Sequence, residues 1–210
     1  MHLVVGLGNP GDRYASTRHN IAWRVLDTLA ARHGAAEAGK DTTWRARAAS
    51  IAERWVVLLQ PLTYMNLSGE ALGAWRERHG REQELLVVTD DVYLPLGSVR
   101  IRTSGSSGGH RGLESIEAAV GGRDYARLRV GVGGVPGRRT GPETSAALKE
   151  HVLEEFAPEE LPALEETVRL AADVVECWAA EGVLSAMNRF NRRVDASPDA
   201  VPSPQEETET

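Results

Sequence analysis

A chain of 210 residues with 41% apolar and 26% charged side chains is long enough to bury one sizeable core, so a single ordinary globular domain is expected. No apolar run approaches the roughly 20 residues that cross a bilayer, and MHLVVGLG enters a strand-like pattern at once, which makes the expected address cytoplasmic and excludes a membrane partner. With Cys177 as the only cysteine, an internal disulfide and a cysteine-based zinc site are both excluded, and the net charge of -6 argues at first sight against nucleic acid.

In chain order, residues 2–7 read as a buried strand and residues 16–33 as a helix, with Ser16 or Thr17 as its cap and Ile21, Val25, Leu26 and Leu29 on its buried face. Between them lies GLGNPGDRYASTRHN, whose Gly6, Gly8 and Gly11 stand at the G-x-G-x-x-G spacing of a dinucleotide-binding turn. In that fold the third glycine is already helical and an acid follows about 20 residues later at a strand end. Here Pro10 and DRYAS delay the helix to about Thr17, and Asp27 lies inside it. The glycines are expected instead to let the loop pass close to a ligand, with Asn9 beyond the strand end and His19 at the first turn of the helix.

WRARAAS and RWVVLLQ are separated by few residues, as in a hairpin, and a helix is expected over residues 65–79. LLVVTDD reads as a buried strand ending in acids, SVRIRT as a half-exposed strand, and GSSGGHRG as a loop before a short helix from about residue 112. The strand LRVGVGG follows. A long amphipathic helix then carries Leu161, Leu164, Val168, Val175 and Trp178 on one face, with Cys177 in its apolar stripe and Gly182 as its stop. Helices mixed with strands and at least one hairpin predict an α/β fold whose sheet is not purely parallel. The last segment, from about residue 194, is rich in Pro, Ser and acid, and is expected to be disordered, leaving one domain over residues 1–193.

The charge is unevenly spread. Residues 98–139 hold Arg100, Arg102, Arg111, Arg123, Arg127, Arg129, Arg138 and Arg139 against Glu114, Glu117 and Asp124, while the acids concentrate in residues 153–176 and in the tail. A basic face on an acidic protein can still attract phosphates, because the field is felt over about a Debye length, ~8 Å at physiological salt. Ordinary surface arginine is the competing explanation, since Arg outnumbers Lys throughout the chain.

Asn9, His19 with Asn20, Asn66 and the pair Asp90 and Asp91 each follow apolar segments, and ligand sites in α/β sheets gather outside the carboxyl ends of strands. One cleft could therefore unite a His, an Asp and two asparagines. A His can take a proton from water, an Asp can hold its tautomer, and amide NH2 groups can donate to an oxygen that becomes negative in acyl transfer. Each residue also has a plainer role: His19 as a helix-terminal polar residue, Asn9 in a turn, Asp90 as a loop cap, Asn66 as a helix cap.

GLGNPGDRYASTRHN, QPLTYMNLSGEAL, VVTDDVYLPLG and GSSGGHRGLESI, in this order, with RLRVGVGG and the WAAEGVLSAMNRFN ending, resemble the bacterial peptidyl-tRNA hydrolase family over about residues 2–193. The resemblance implies a single three-layer α/β/α globule with a twisted mixed sheet, monomeric and without metal or cofactor, that hydrolyses the ester of peptidyl-tRNA. It implies His19 as the catalytic base oriented by Asp90, with Asn9 and Asn66 placing substrate and water. Tyr14 and Met65 match neighbouring substrate-contact positions, although both could equally be wall packing. Arg100, Arg102, Arg127 and Arg129 become candidates for tRNA phosphates, with strand alternation expected to make about half of them bystanders.

Two positions depart from the family pattern: Arg111 stands where GGHNG has a substrate-contacting asparagine, and Tyr93 where a second acid is common. Arg111 cannot accept a hydrogen bond but can pair with phosphate. The rival function is a catalytically silent relative that binds RNA through the same cleft. A nucleophile-based amidase is disfavoured, because no Ser sits in a nucleophile elbow.

Overall fold

The computed structural model describes residues 1–134 and 142–191. The expected tail from residue 194, together with Arg138 and Arg139, lies outside them. Seven strands form one mixed sheet in the order β2-β3-β4-β1-β5-β7-β6. They are β1 (His2–Gly6), β2 (Ala36–Lys40), β3 (Trp44–Ile51), β4 (Arg54–Pro61), β5 (Glu84–Asp91), β6 (Val99–Arg102) and β7 (Ala126–Gly131). β4, β1, β5 and β7 run parallel, whereas β2, β3 and β6 are antiparallel to their neighbours. The expected hairpin is β3 and β4, turning through Ala52 and Glu53 at φ 48° and 61°.

Helices cover both faces. α1 (Ile21–His33), α5 (Leu161–Glu181) and α6 (Val183–Phe190) pack on one, and α2 (Ser68–His79) and α3 (Arg111–Val120) on the other. α4 (Pro142–Val152) precedes α5. This double cover explains the unbroken apolar run in β1: Val4 faces the α1 side and Leu3 and Val5 the α2 side, all fully buried. The three-layer α/β/α architecture is the one expected. Among the described residues no helix is long and apolar enough to cross a membrane.

The chain differs from the sequence expectation in four places. The helix expected from residue 16 begins as a 3-10 turn, Arg18–Asn20, and becomes α-helical at Ile21. Its start is held by Tyr14, whose carbonyl accepts from both the Thr17 amide (3.1 Å) and hydroxyl (2.8 Å). β2, with four of its five residues exposed, α4 and α6 were not anticipated; short or polar elements carry little periodic signal. Leu161, expected on the buried stripe, is 44% exposed, because it stands at the first position of α5, before the helix seats on the sheet. Finally, Gly6 and Gly8 serve helix packing: a Cβ on Gly6 would stand 2.7 Å from Leu26 Cδ1, and one on Gly8 would stand 2.5 Å from Trp23 Nε1. These two glycines bring the strand end and the loop close against α1, whereas a Cβ on Gly11, at φ 102°, would meet nothing within 4 Å.

Candidate active site

The carboxyl ends of β1 and β5 bring the polar blocks together, as an α/β sheet leads one to expect. Asp90, the penultimate residue of β5, points among the side chains at the start of α1 and α3 and is 2% exposed. Its Oδ1 lies 2.8 Å from His19 Nδ1 and 3.0 Å from His110 Nε2. The two imidazole centroids are 5.2 Å apart. Burial works against charge on His19, but the adjoining Asp90 carboxylate outweighs it and raises the imidazole above its ordinary 6.5. Burial likewise opposes ionisation of Asp90, yet the two histidines hold its carboxyl far below the usual range. Asp90 is therefore an anion that accepts, and His19 carries its proton on Nδ1 with Nε2 left for chemistry. Among the described residues Nε2 has no protein partner.

Asn9 is fixed from three sides. Its amide donates to Asn20 Oδ1 (2.8 Å), its carbonyl accepts from Asn20 Nδ2 (3.0 Å), and its side-chain Oδ1 accepts from the Met65 amide (2.9 Å). The backbone donor settles which way the Asn9 side chain faces, and leaves Nδ2 with no acceptor among the described residues. Asn20, adjacent to His19 in RHN, thus joins the β1 loop to the 3-10 turn. Met65 is 5% exposed within the α2-side core, so its side chain packs the wall while its backbone orients Asn9. Asn66 is exposed and makes no side-chain hydrogen bond among the described residues. Tyr14 is half-buried in the Asp12–Tyr14 turn, with the Arg13 guanidinium over its ring at 4.4 Å.

His110 is the cluster residue that sequence reasoning left out, whereas Asn20 was placed beside His19 at the helix start without a role. His110 stood inside a quoted block, GGHRG, but nothing in the spacing says that a loop residue before α3 will touch the end of β5. Arg111, the first residue of α3, is exposed with no ion pair among the described residues. Tyr93 is 61% exposed, its amide donating to Asp91 Oδ1 at 2.8 Å.

The four strand arginines share one face of the sheet. Arg100 stands opposite Arg129 and Arg102 opposite Arg127 in the β6–β7 register, and directly paired residues point to the same side. Alternation therefore separates none of them, contrary to expectation; what separates them is cover. Arg127 is 1% exposed, paired with Glu117 of α3 at 3.3 Å and lying over the Tyr125 ring at 4.3 Å. It is part of the packing between α3 and the sheet and does not face a phosphate. Arg129 is partly exposed and anchored to Asp91 (3.2 Å) and to the carbonyls of Ser106 and Ser107. Arg100 and Arg102 have no carboxylate partner among the described residues.

His19, Asp90 and His110 also form the one group among the described residues whose ligand atoms lie close enough, within 4.8 Å, to hold a metal ion. Their facing atoms are spent on one another: Asp90 Oδ1 accepts from both rings, and His110 Nδ1 accepts from the amides of Gly112 and Leu113. Binding a cation through His110 Nε2 would require stripping the proton that this arrangement places there, so the set suits proton transfer better than metal ligation.

Residues 3–198 match the family described as Peptidyl-tRNA hydrolase. A protein named peptidyl-tRNA hydrolase from Chloroflexus aggregans is 42% identical over 193 residues, covering 91% of this chain and 99% of that one. One of the same name from Chloroflexus aurantiacus is 44% identical over the same length. The crystal structure of peptidyl-tRNA hydrolase from Acinetobacter baumannii superposes with a TM-score of 0.77 at 31% identity, covering 90% of this chain and 93% of that one.

Proposed function

The chain belongs to the peptidyl-tRNA hydrolase family, and we propose that it hydrolyses the ester joining a peptide to the 3' end of tRNA, with His19 as the base. The observation that carries this reading is the 2.8 Å contact of His19 Nδ1 with the buried Asp90 carboxylate, which leaves Nε2 to act. Nε2 removes a proton from water as the water oxygen attacks the ester carbonyl. The tetrahedral oxyanion then collapses, and the proton passes from His19 to the departing ribose oxygen. Asp90 holds the tautomer and offsets the imidazolium charge throughout. The unpartnered Nδ2 of Asn9 and the exposed amide of Asn66 are donors for the substrate carbonyl or the water. Water is the nucleophile, so no covalent intermediate is needed. A cytoplasmic monomer acting on tRNA in translation fits this chemistry.

Turnover of N-acyl-aminoacyl-tRNA beside a free N-acyl-aminoacyl ester tests the reading. Hydrolysis of the first is expected; tight tRNA binding without hydrolysis of either would make the chain a silent RNA-binding relative instead.

The exposed Arg102, with the partly exposed Arg100 and Arg129, supplies the phosphate contacts. Ala at Arg100 or Arg102 is expected to weaken tRNA binding and to lower the slope of log affinity against log salt by about 0.7 to 0.9 for each lost contact. Arg127→Ala is expected to leave that slope alone and to cost about 1 to 3 kcal/mol in stability, because it removes a buried side chain packed over Tyr125 and against Glu117, which keeps Arg123 as a partner. Equal slopes for Arg100→Ala, Arg102→Ala and the parent would place the tRNA elsewhere.

Arg111, exposed and next to His110, is a phosphate partner near the tRNA 3' end, where its planar fork can bind oxygens bidentately. Arg111→Asn is expected to cost affinity for tRNA-linked substrate and none for the short ester. A gain in turnover on both would instead mark the arginine as a damaging substitution.

A further inference from the structure

His110 is used at both ring nitrogens. Nδ1 accepts from the amides of Gly112 (3.1 Å) and Leu113 (3.3 Å), capping α3. A nitrogen that accepts from two N–H groups carries a lone pair, so the proton of the neutral ring is on Nε2. That nitrogen lies 3.0 Å from Asp90 Oδ1 and 2.8 Å from Thr89 Oγ1. A second proton on the ring would have to sit at Nδ1, pointing at two donors. One carboxylate oxygen thus receives an N–H from each of two imidazoles, and of their other nitrogens only His19 Nε2 has no partner among the described residues.

We propose that His110 is a positioning residue, locked by the α3 cap as the neutral Nε2–H tautomer, which shares the Asp90 oxygen with His19 and so limits how strongly Asp90 stabilises the His19 imidazolium. The consequence is a division of labour between two histidines on one carboxylate: His19 exchanges protons with water, and His110 never does. By drawing on the same oxygen, His110 keeps the base from holding its proton too tightly to return it to the leaving ribose oxygen. The proposal rests on His19 being the base.

Of the other charged groups nearby, Arg111 beside His110 is exposed and has no ion pair among the described residues, and the rest are engaged. Asp91 of β5 is paired with Arg129 of β7 at 3.2 Å, Arg18 of the 3-10 turn bonds Glu160 at 3.0 Å, and His151 of α4 meets the Gly133 carbonyl at 3.0 Å and Glu154 at 3.3 Å. Asp90 and His110 are the titratable groups that bond His19 and its partner directly.

The test uses His110→Asn, which keeps a good helix cap but is too short to reach Asp90 as well, beside His110→Ala, which loses both contacts. Nitrogen-resolved NMR of the imidazoles in the parent should show His110 with Nδ1 unprotonated across neutral pH. In His110→Asn the His19 titration, and with it the acid limb of kcat/KM, should move up by roughly half to one pH unit, with KM kept and melting temperature close to the parent. An Nδ1–H or charged His110 in the parent overturns the proposal. So does an unmoved His19 titration in both variants, which would reduce His110 to a cap, or a raised KM with kcat and the acid limb intact, which would make it a substrate contact. A His19 titration that moves while the rate profile stays still would uphold the coupling and instead remove His19 from the role of base.

Discussion

His19→Ala is expected to lower turnover by about 10²- to 10⁴-fold, the usual contribution of a positioned base, while leaving tRNA affinity nearly intact. The separation follows from where the groups lie. His19 sits in the 3-10 turn beside β5 and is spent on Asp90, whereas Arg100 and Arg102, without carboxylate partners among the described residues, lie on β6 at the sheet edge. The parent should also lose kcat/KM on acidification around a midpoint above 6.5, since Asp90 raises the His19 imidazole and a protonated ring cannot accept from water. Added imidazole should restore part of the variant's rate, because removing the ring opens a space beside Asp90. Activity within a few-fold of the parent would refute the mechanism, whatever the binding data show.

What the sequence made legible divides along physical lines. The four parallel core strands and the long helices carry strong apolar patterns because both sheet faces are covered, and these gave the fold class. β2 could not be seen, since an edge strand with exposed side chains earns its place by backbone pairing to β3 rather than by burial. The pairing of His19 with Asp90 was reachable from the rule about strand ends together with the family resemblance, although 71 residues separate them. His110 was not, because its contact depends on how the loop before α3 crosses β5, and no periodicity encodes that crossing. The arginines show the same limit in reverse. Alternation placed them correctly along each strand, but their common face depends on the β6–β7 register, and the loss of Arg127 to the interior depends on α3 lying over it.

Asp90→Asn is the sharper probe of the site, because it keeps the shape and removes only the charge. An asparagine at this position can still present an oxygen to His19 Nδ1 and His110 Nε2, both of which reach the same carboxylate atom in the parent. Two N–H donors converging there favour that orientation, since the reverse would turn an amide NH2 toward them. The His19 tautomer should therefore survive, unlike the case in which a single donor lets the amide flip and the wrong tautomer forms. What is lost is the anion that offsets the imidazolium as the water proton transfers. Turnover is expected to fall by about 10²-fold, toward 10⁴-fold if the amide flips after all, with KM little changed. The two outcomes separate in the pH profile. With the tautomer kept and the charge gone, burial alone acts on His19, its affinity for a proton drops, and the acid limb moves to lower pH. With the amide flipped, Nε2 carries the proton at neutral pH and the residual rate has no acid limb belonging to His19. If only KM rose, Asp90 would be a binding residue, and the geometry that joins it to both histidines would have to be explained as packing.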